Sequence, residues 1–168
     1  MGDFEKISNE IEECKKLNIK VMIPSVNYSF VEFGVDKENK NVIFYALAGI
    51  KNLGEAVSEA IVEERKQNGT YKDLEDFLNR VPAMVMNKKT LENLIKAGAM
   101  DCFGERSKLF KILPEILDYN QRKQSEKNTK QVSLFGMLEK NDNSVTSEKI
   151  FKDLDKKDDS VSDLEMLA

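Results

Sequence analysis

Apolar residues recur at helical spacing along much of this 168-residue chain. In residues 4–17 the apolar stripe consists of Phe4, Ile7, Ile11, Cys14 and Leu17. In residues 55–67 it consists of Ala56, Val57, Ala60 and Ile61, and Asn68-Gly69 supplies a stop signal. We therefore predict an amphipathic helix in each range, with one face buried against the rest of the protein.

Capping residues predict further helices downstream. Asp73 precedes a short stripe and can cap a helix that closes near Val81-Pro82. Asn87 can cap another helix, with Leu91, Leu94 and Ile95 as its stripe and Gly98 just past its end. A last segment opens near Ser107, and Pro114 either kinks it or starts a new helix that reaches Tyr119.

Between the first two helices the pattern favours strands. Residues 30–35 (FVEFGV) and 41–47 (NVIFYAL) are rich in β-branched and aromatic residues, and the polar stretch DKENK separates them. We predict a β-hairpin there, preceded by a short buried stretch that Pro24 keeps extended. After Tyr119 the chain becomes polar apart from QVSLFGML, which predicts a flexible linker containing one apolar island.

Composition narrows the classes of function. Apolar residues make up 40% of the chain and charged residues 33%, which fits one medium domain or a small domain with tails. The formal charge of −4 gives no global basic surface, so any contact with nucleic acid would have to be local. No apolar run reaches membrane-spanning length and the first residues do not form a signal peptide, so we expect a cytoplasmic protein with no membrane contact.

Candidate catalytic chemistry is lacking in the sequence. Histidine is absent, which excludes histidine-based triads and most zinc sites. Cys14 and Cys102 lie far apart, and we expect two buried, reduced thiols. No phosphate loop, nucleophile elbow or carboxylate pair is present, so we predict no catalytic residue, no metal and no cofactor in this segment.

The turn at residues 49–54 (GIKNLG) is the first candidate site. In a helix-hairpin-helix motif, such a turn presents backbone N–H groups beside a helix N-terminus, where a phosphate can bind without base contacts. Ile50 and Leu53 would point inward, Gly54 would allow close approach, and Lys51 could add a charged contact. Asn52 stands where the usual pattern has glycine, but asparagine tolerates the left-handed conformation. The alternative is an ordinary turn that only joins two packed elements.

Two other features have both a functional and a plain explanation. Lys88, Lys89 and Lys96 with Arg80 could flank a DNA duplex, or they could form a solvated helix face. The stretch QVSLFG has the form of a short linear motif, in which Gln131 would form hydrogen bonds while Leu134 and Phe135 fill a partner's pocket. Alternatively, this apolar island folds back onto the chain's own core.

Four stretches together resemble one family: IEECKKLNIKVMIPSVNYSFVEF, FYALAGIKNLGEAVSEAIVEER, LENLIKAGAMDCFG and QVSLFG. In this order and spacing they resemble the bacterial DNA polymerase III alpha subunit, from about Asp3 onward. The resemblance implies an internal segment of a much larger enzyme, lying after the fingers and before an oligonucleotide-fold domain. It further implies that neither the palm, with its metal-binding aspartates, nor the phosphoesterase-like domain is in this chain.

The resemblance also implies partners and sites. Residues 50–54 match the hairpin that contacts the backbone of double-stranded DNA: Ile50, Lys51, Asn52, Leu53 and Gly54. The sliding-clamp motif is matched by Gln131, Ser133, Leu134 and Phe135. The second hairpin, near Ala97 to Ala99, is degenerate, and no phosphate role is carried onto it.

The resulting prediction is a mainly α-helical protein: a tandem helix-hairpin-helix with a small preceding β-hairpin and a flexible C-terminal linker. Its parts are a lead-in helix and β-hairpin (1–46), the tandem domain (47–120), a linker with the clamp motif (121–145) and a tail leading to a next domain (146–168). We predict a non-catalytic polymerase segment that binds duplex DNA and the clamp. The alternatives are a structural spacer, a segment in which only the clamp motif functions, and a segment of an error-prone relative.

Overall fold

The computed structural model describes residues 2–132, and within them the protein is mainly helical with one small sheet, as predicted. The elements, in chain order, are α1 (Gly2–Lys16), β1 (Lys20–Met22), β2 (Gly34–Val35), β3 (Val42–Phe44), α2 (Glu55–Asn68), α3 (Leu74–Arg80), α4 (Lys88–Lys96), α5 (Arg106–Lys111) and α6 (Leu113–Val132). Two short 3₁₀ turns, Ala83–Val85 and Asp101–Phe103, flank α4.

The sheet has the strand order β1-β3-β2, so the last strand in sequence lies in the middle. β2 and β3 form the predicted hairpin, paired antiparallel with Gly34 opposite Phe44, but both strands are shorter than the predicted ranges 30–35 and 41–47. β1 adds a parallel strand on the other side, with Val21 opposite Ile43. The sequence predicts only an extended stretch for β1, because three residues show no usable period and their partner is distant in the chain.

The capping predictions are confirmed. The Asp73 carboxylate accepts a hydrogen bond of 2.7 Å from the Asp76 N–H, and α3 ends at Arg80 with Val81 as its C-cap. The Asn87 side chain accepts one of 3.0 Å from the Thr90 N–H. α4 ends before Gly98, whose φ of 78° lies in the left-handed region.

The core forms where α2 to α6 meet under the first loops. Its largest fully buried side chains include those of the predicted stripes of α3 and α4: Phe77, Leu78, Leu91, Leu94 and Ile95. The stripe of α2 is shifted from the prediction, since Ser58, Ile61 and Val62 are buried while Ala56 is exposed. Ala56 lies on the solvent side of the first turn, whereas its neighbour Val57 packs against the core.

Leu17 is a second correction, because it lies beyond the end of α1 and is 70% exposed. The periodicity alone could not separate it from Ile7, Ile11 and Cys14, which are half-buried.

Both cysteines are free thiols, but neither is buried as predicted: Cys14 is half-buried and Cys102 is an exposed residue. Desolvation around its sulfur nevertheless raises the pKa of the Cys102 thiol to about 11, so the thiol stays protonated at neutral pH.

The break at Pro114 is resolved in favour of a new helix. α5 ends at Lys111 and α6 begins at Leu113, with Pro114 in its first turn, where a missing N–H costs nothing. α6 then continues past Tyr119 to Val132. The added length follows from good helix formers such as Gln121, Arg122 and Lys123. Their polarity alone favours a linker, and the predicted linker from residue 121 is wrong in this part.

Candidate nucleic-acid interface

The chain leaves β3 and forms two consecutive turns before α2. The Ile50 N–H donates to Leu47 O at 3.0 Å, and the Leu53 N–H donates to Ile50 O at 3.1 Å. Between Phe44 and Glu55 there is no α-helix, so turns stand where a helix-hairpin-helix motif has its first helix. The cause is pairing with the first loop: Leu47 and Ala48 donate to Phe30 O and Val31 O, which keeps this part of the chain extended.

The predicted orientation of the two apolar turn residues is confirmed. Ile50 is 7% exposed and Leu53 is 2% exposed, and both belong to the hydrophobic core. Lys51, Asn52 and Gly54 are exposed. The turn is thus anchored from below by two buried side chains, while its upper side faces solvent.

The backbone of the turn uses the left-handed region twice. Asn52 has φ 60°, which confirms that asparagine adopts here the conformation for which glycine is the easier choice. Gly54 has φ 78° and ψ 147°, a combination close to a region reserved for glycine. A Cβ added at Gly54 would meet no atom within 4 Å, so its surroundings are open.

This geometry leaves backbone donors free. Among residues 2–132 no acceptor is found for the N–H groups of Lys51, Asn52 or Gly54, nor for those of the first turn of α2 at residues 55–57. Gly54 is the N-cap of α2 and offers no side-chain cap, whereas its own carbonyl accepts from the Ser58 hydroxyl at 3.0 Å. Free N–H groups at a helix N-terminus attract anions, although Glu55 in the first turn opposes this attraction.

The basic residues predicted around α4 differ in whether they are available to a ligand. The Arg80 guanidinium is engaged within the fold: it binds Glu64 at 2.8 Å and Asp76 at 2.8 Å, and lies 4.5 Å from the centre of the Tyr71 ring. Hydrogen bonding to Glu64 raises the pKa of Arg80. Arg80 therefore holds α2 to α3 and is not available to a DNA backbone. Lys89 and Lys96 are exposed.

The second glycine turn, at residues 97–99, is covered by side chains, whereas the surroundings of Gly54 in the first turn are open. Asp101 and Arg106 form an ion pair of 2.8 Å beside Gly98. A Cβ at Gly98 would collide with both side chains. This covering agrees with assigning no phosphate role to the turn at residues 97–99.

A groove that no sequence pattern predicts opens beside the first turn. It has a volume of about 640 Å³ and lies between α1, β1, the turn and the end of α4. Three lysines line it, each from a different element: Lys15, Lys51 and Lys96. Lys15 was not among the predicted site residues, because helical spacing places it on a face but does not say what lies opposite.

Most residues of the predicted clamp motif lie outside the part of the chain that the structure describes. Gln131 falls in the last turn of α6, and only its backbone is described. Ser133, Leu134 and Phe135 lie outside the described residues. Within residues 2–132 no helix is long and apolar enough to cross a membrane, and no group of three or more acidic or cysteine residues is placed to hold a metal ion.

The chain is similar to known proteins over most of its length. A family model described as a helix-hairpin-helix motif matches residues 18–109. The DNA polymerase III subunit alpha of Thermus aquaticus is 39% identical over 137 residues, or 82% of this chain and 11% of the relative. That of Borreliella burgdorferi is 42% identical over 143 residues, or 84% of this chain and 12% of the relative. The chain thus spans about a tenth of the length of the relatives that it matches.

Proposed function

The chain belongs to the helix-hairpin-helix family and is homologous over most of its length to DNA polymerase III alpha subunits, and from this we propose that it binds duplex DNA for a replicative polymerase. The contact is made to the phosphate backbone and is independent of base sequence. One observation carries the proposal: the exposed turn at residues 51–54 presents free N–H groups next to the free N-terminus of α2.

The chemistry of the turn suits an anion such as a backbone phosphate. Backbone N–H groups carry no information about bases, so they position a strand without reading it. Lys51 is exposed and has no ion-pair partner within residues 2–132, so its charge is available. With so few contacts, binding should be weak. It should weaken further as the salt concentration rises, because counterions released into more concentrated salt gain less entropy.

Fluorescence anisotropy with a labelled duplex tests the proposal on the 168-residue chain. Two duplexes of unrelated sequence should bind equally, and affinity should fall between about 50 and 200 mM salt. Lys51→Gln should weaken binding roughly three- to tenfold. It should also reduce the slope of log affinity against log salt concentration by the amount expected for one phosphate contact. Lys40→Gln, which removes a charge from an exposed loop outside the turn, is the matched control.

Absence of binding at low salt would support the rival function, a spacer between polymerase domains. Equal affinities for the Lys51 and Lys40 variants would move the contact elsewhere on the surface. The sequence contains no phosphate loop, nucleophile elbow or carboxylate pair, and we further propose that the chain extends no primer by itself. Primer extension by the purified chain with magnesium and nucleotides would contradict this.

We also propose that residues 131–135 tether the polymerase to its sliding clamp. The support is the match of Gln131, Ser133, Leu134 and Phe135 to the clamp-binding pattern. Two weak contacts, one to the duplex and one to the clamp around it, reinforce each other through effective concentration. The work of this segment would then be done in the cytoplasm, with the rest of the polymerase as its partner and no cofactor of its own.

Retention on immobilised clamp tests the tether. Replacing Leu134 and Phe135 with alanine should abolish retention, because both side chains would fill an apolar pocket. Met137→Ala, in the same apolar island but outside the motif, should be retained normally. Unchanged retention of the double variant would remove the clamp proposal and leave the duplex proposal intact.

A further inference from the structure

The groove beside the hairpin turn has an apolar floor and a basic rim. Its floor is formed by Ile11, Val21, Ile23, Pro24, Tyr45 and Ile50. Among the residues whose side chains the structure describes, the charged ones that line it are Lys15, Lys51 and Lys96. The whole chain carries a formal charge of −4, so a groove whose described lining holds lysines and no acidic residue differs from the average surface.

The three lysines are free to bind a ligand. All three are exposed, and none has an ion-pair partner among residues 2–132. They reach the groove from α1, the turn and the C-terminal end of α4. The fold therefore brings together positive charges that are far apart in the sequence, without neutralising them.

The groove is continuous with the turn that we assign to phosphate binding. Gly49, Ile50 and Lys51 belong to the turn and also line the groove. A strand whose phosphate lies on the turn would therefore have its next phosphates within reach of the rim. The apolar floor suits the C–H faces of deoxyribose, which bury favourably against aliphatic side chains.

We propose that this groove holds the sugar–phosphate backbone of one DNA strand, with Lys15 and Lys96 contacting phosphates on either side of the one at the turn. This inference rests on the proposed function, because the same strand occupies the turn. It adds α1 and the end of α4 to the contact surface. The number of phosphates neutralised rises accordingly, and so does the steepness of the salt dependence.

Two pairs of neighbouring lysines allow a matched test in the 168-residue chain. Lys15→Gln is compared with Lys16→Gln on α1, and Lys96→Gln with Lys89→Gln on α4. Each variant removes one charge, but Lys16 and Lys89, although exposed and without an ion pair in the described part of the chain, do not line the groove. Duplex affinity is measured by anisotropy over a series of salt concentrations.

We expect the two groove variants each to bind roughly three- to tenfold more weakly and to reduce the log–log salt slope by about 0.9. The two control variants should bind nearly as the unmodified chain does. If all four lose affinity equally, only net charge matters and the groove inference is wrong. If the unmodified chain binds and Lys51→Gln weakens it while the groove variants do not, the inference alone fails and the proposed function stands.

A different occupant would give a different result. A short labelled peptide that alternates aspartate with leucine would also match a basic rim and an apolar floor. Binding of that peptide, lost in Lys15→Gln and Lys96→Gln while duplex affinity is unchanged, would assign the groove to a protein partner. That outcome would overturn the inference.

Discussion

Asn52 shows how one residue sets the shape of the candidate site. Its backbone lies at φ 60°, a left-handed conformation that brings the Cβ of most residues too close to the following carbonyl oxygen and that asparagine tolerates better than most residues. Ile50 and Leu53 hold the turn from inside, but they do not determine this torsion. The left-handed conformation, and the open N–H groups that depend on it, therefore rest on the residue at position 52.

Substitution at this position should separate strain from chemistry. Asn52→Gly should change the free energy of unfolding by only a few tenths of a kcal/mol, whereas Asn52→Val should lower it by roughly 1–2 kcal/mol, because a β-branched residue resists positive φ. Urea denaturation followed by circular dichroism measures both. Lys51→Val is the control, since Lys51 is exposed and is not at positive φ. Equal losses for both valine variants would mean that the torsion carries no strain.

At this scale the sequence predicts well what depends on a residue's own chemistry. The inward side chains of the turn and the tolerance of Asn52 for positive φ follow from polarity and from known backbone preferences. The ion pair of Arg80 with Asp76 also has a sequence signature, since the two residues lie four positions apart on one helix. The ion pair of Arg80 with Glu64, and the approach of Lys15 to the turn, depend on residues brought near by the fold, and no spacing in the sequence encodes them.

Between elements, Arg65 is the clearest connection. From α2 its guanidinium donates to Val26 O at 2.6 Å and to Ser29 O at 2.7 Å, and thus fixes the first loop against the helix. Burial lowers the pKa of Arg65, but an arginine so shifted is still charged at neutral pH. Asn27 and Tyr71 reinforce the same loop through two reciprocal hydrogen bonds of 2.8 and 3.0 Å.

Replacing Arg65 should weaken the attachment of the first loop to α2. Arg65→Lys keeps the charge but cannot reach both carbonyls in the same geometry, so we expect a loss of about 1–3 kcal/mol in the free energy of unfolding. Thermal denaturation of this variant is compared with that of Lys66→Ala, an exposed neighbour on α2 that should be nearly neutral. A melting temperature equal to that of the unmodified chain would show that the two hydrogen bonds of the Arg65 guanidinium add nothing to the free energy of unfolding.

Elements with local signals were the predictable ones. Asp73, Asn87 and Gly98 mark helix ends through bonds to residues three or four positions away, so their sequence signature is complete. The parallel strand β1 and the turns that replace a helix before Ile50 depend on partners about 20 residues away along the chain. Those partners, and not local preference, decide their conformation.

For the molecule as a whole, the Arg80 network links stability to pH. Burial tends to raise the pKa of Asp76, but hydrogen bonds from the Lys72 N–H and from Arg80 outweigh it, and the pKa lies below its usual value of 3.8. A carboxyl with a lowered pKa in the folded state stabilises the fold above its unfolded pKa. That contribution is lost as the pH falls through the folded pKa.

We therefore expect the free energy of unfolding to drop below about pH 4, and Asp76→Asn to flatten part of that drop. Urea denaturation at several pH values between about 6 and 2.5 measures it. Glu75→Gln, the exposed neighbour in the first turn of α3, is the control and should keep the slope of the unmodified chain. An Asp76→Asn variant with an unchanged slope would place the acid sensitivity on other carboxyls.

The first helix makes a different kind of contribution from the rest. No residue of α1 whose side chain is described is fully buried, and none belongs to the hydrophobic core. Helices held by partial burial open in sub-global steps that cost less than complete unfolding. Amide hydrogens of α1 should therefore exchange with solvent well before those of α3 and α4. Since α1 supplies Lys15, one wall of the groove would assemble and come apart repeatedly in a protein that is otherwise folded.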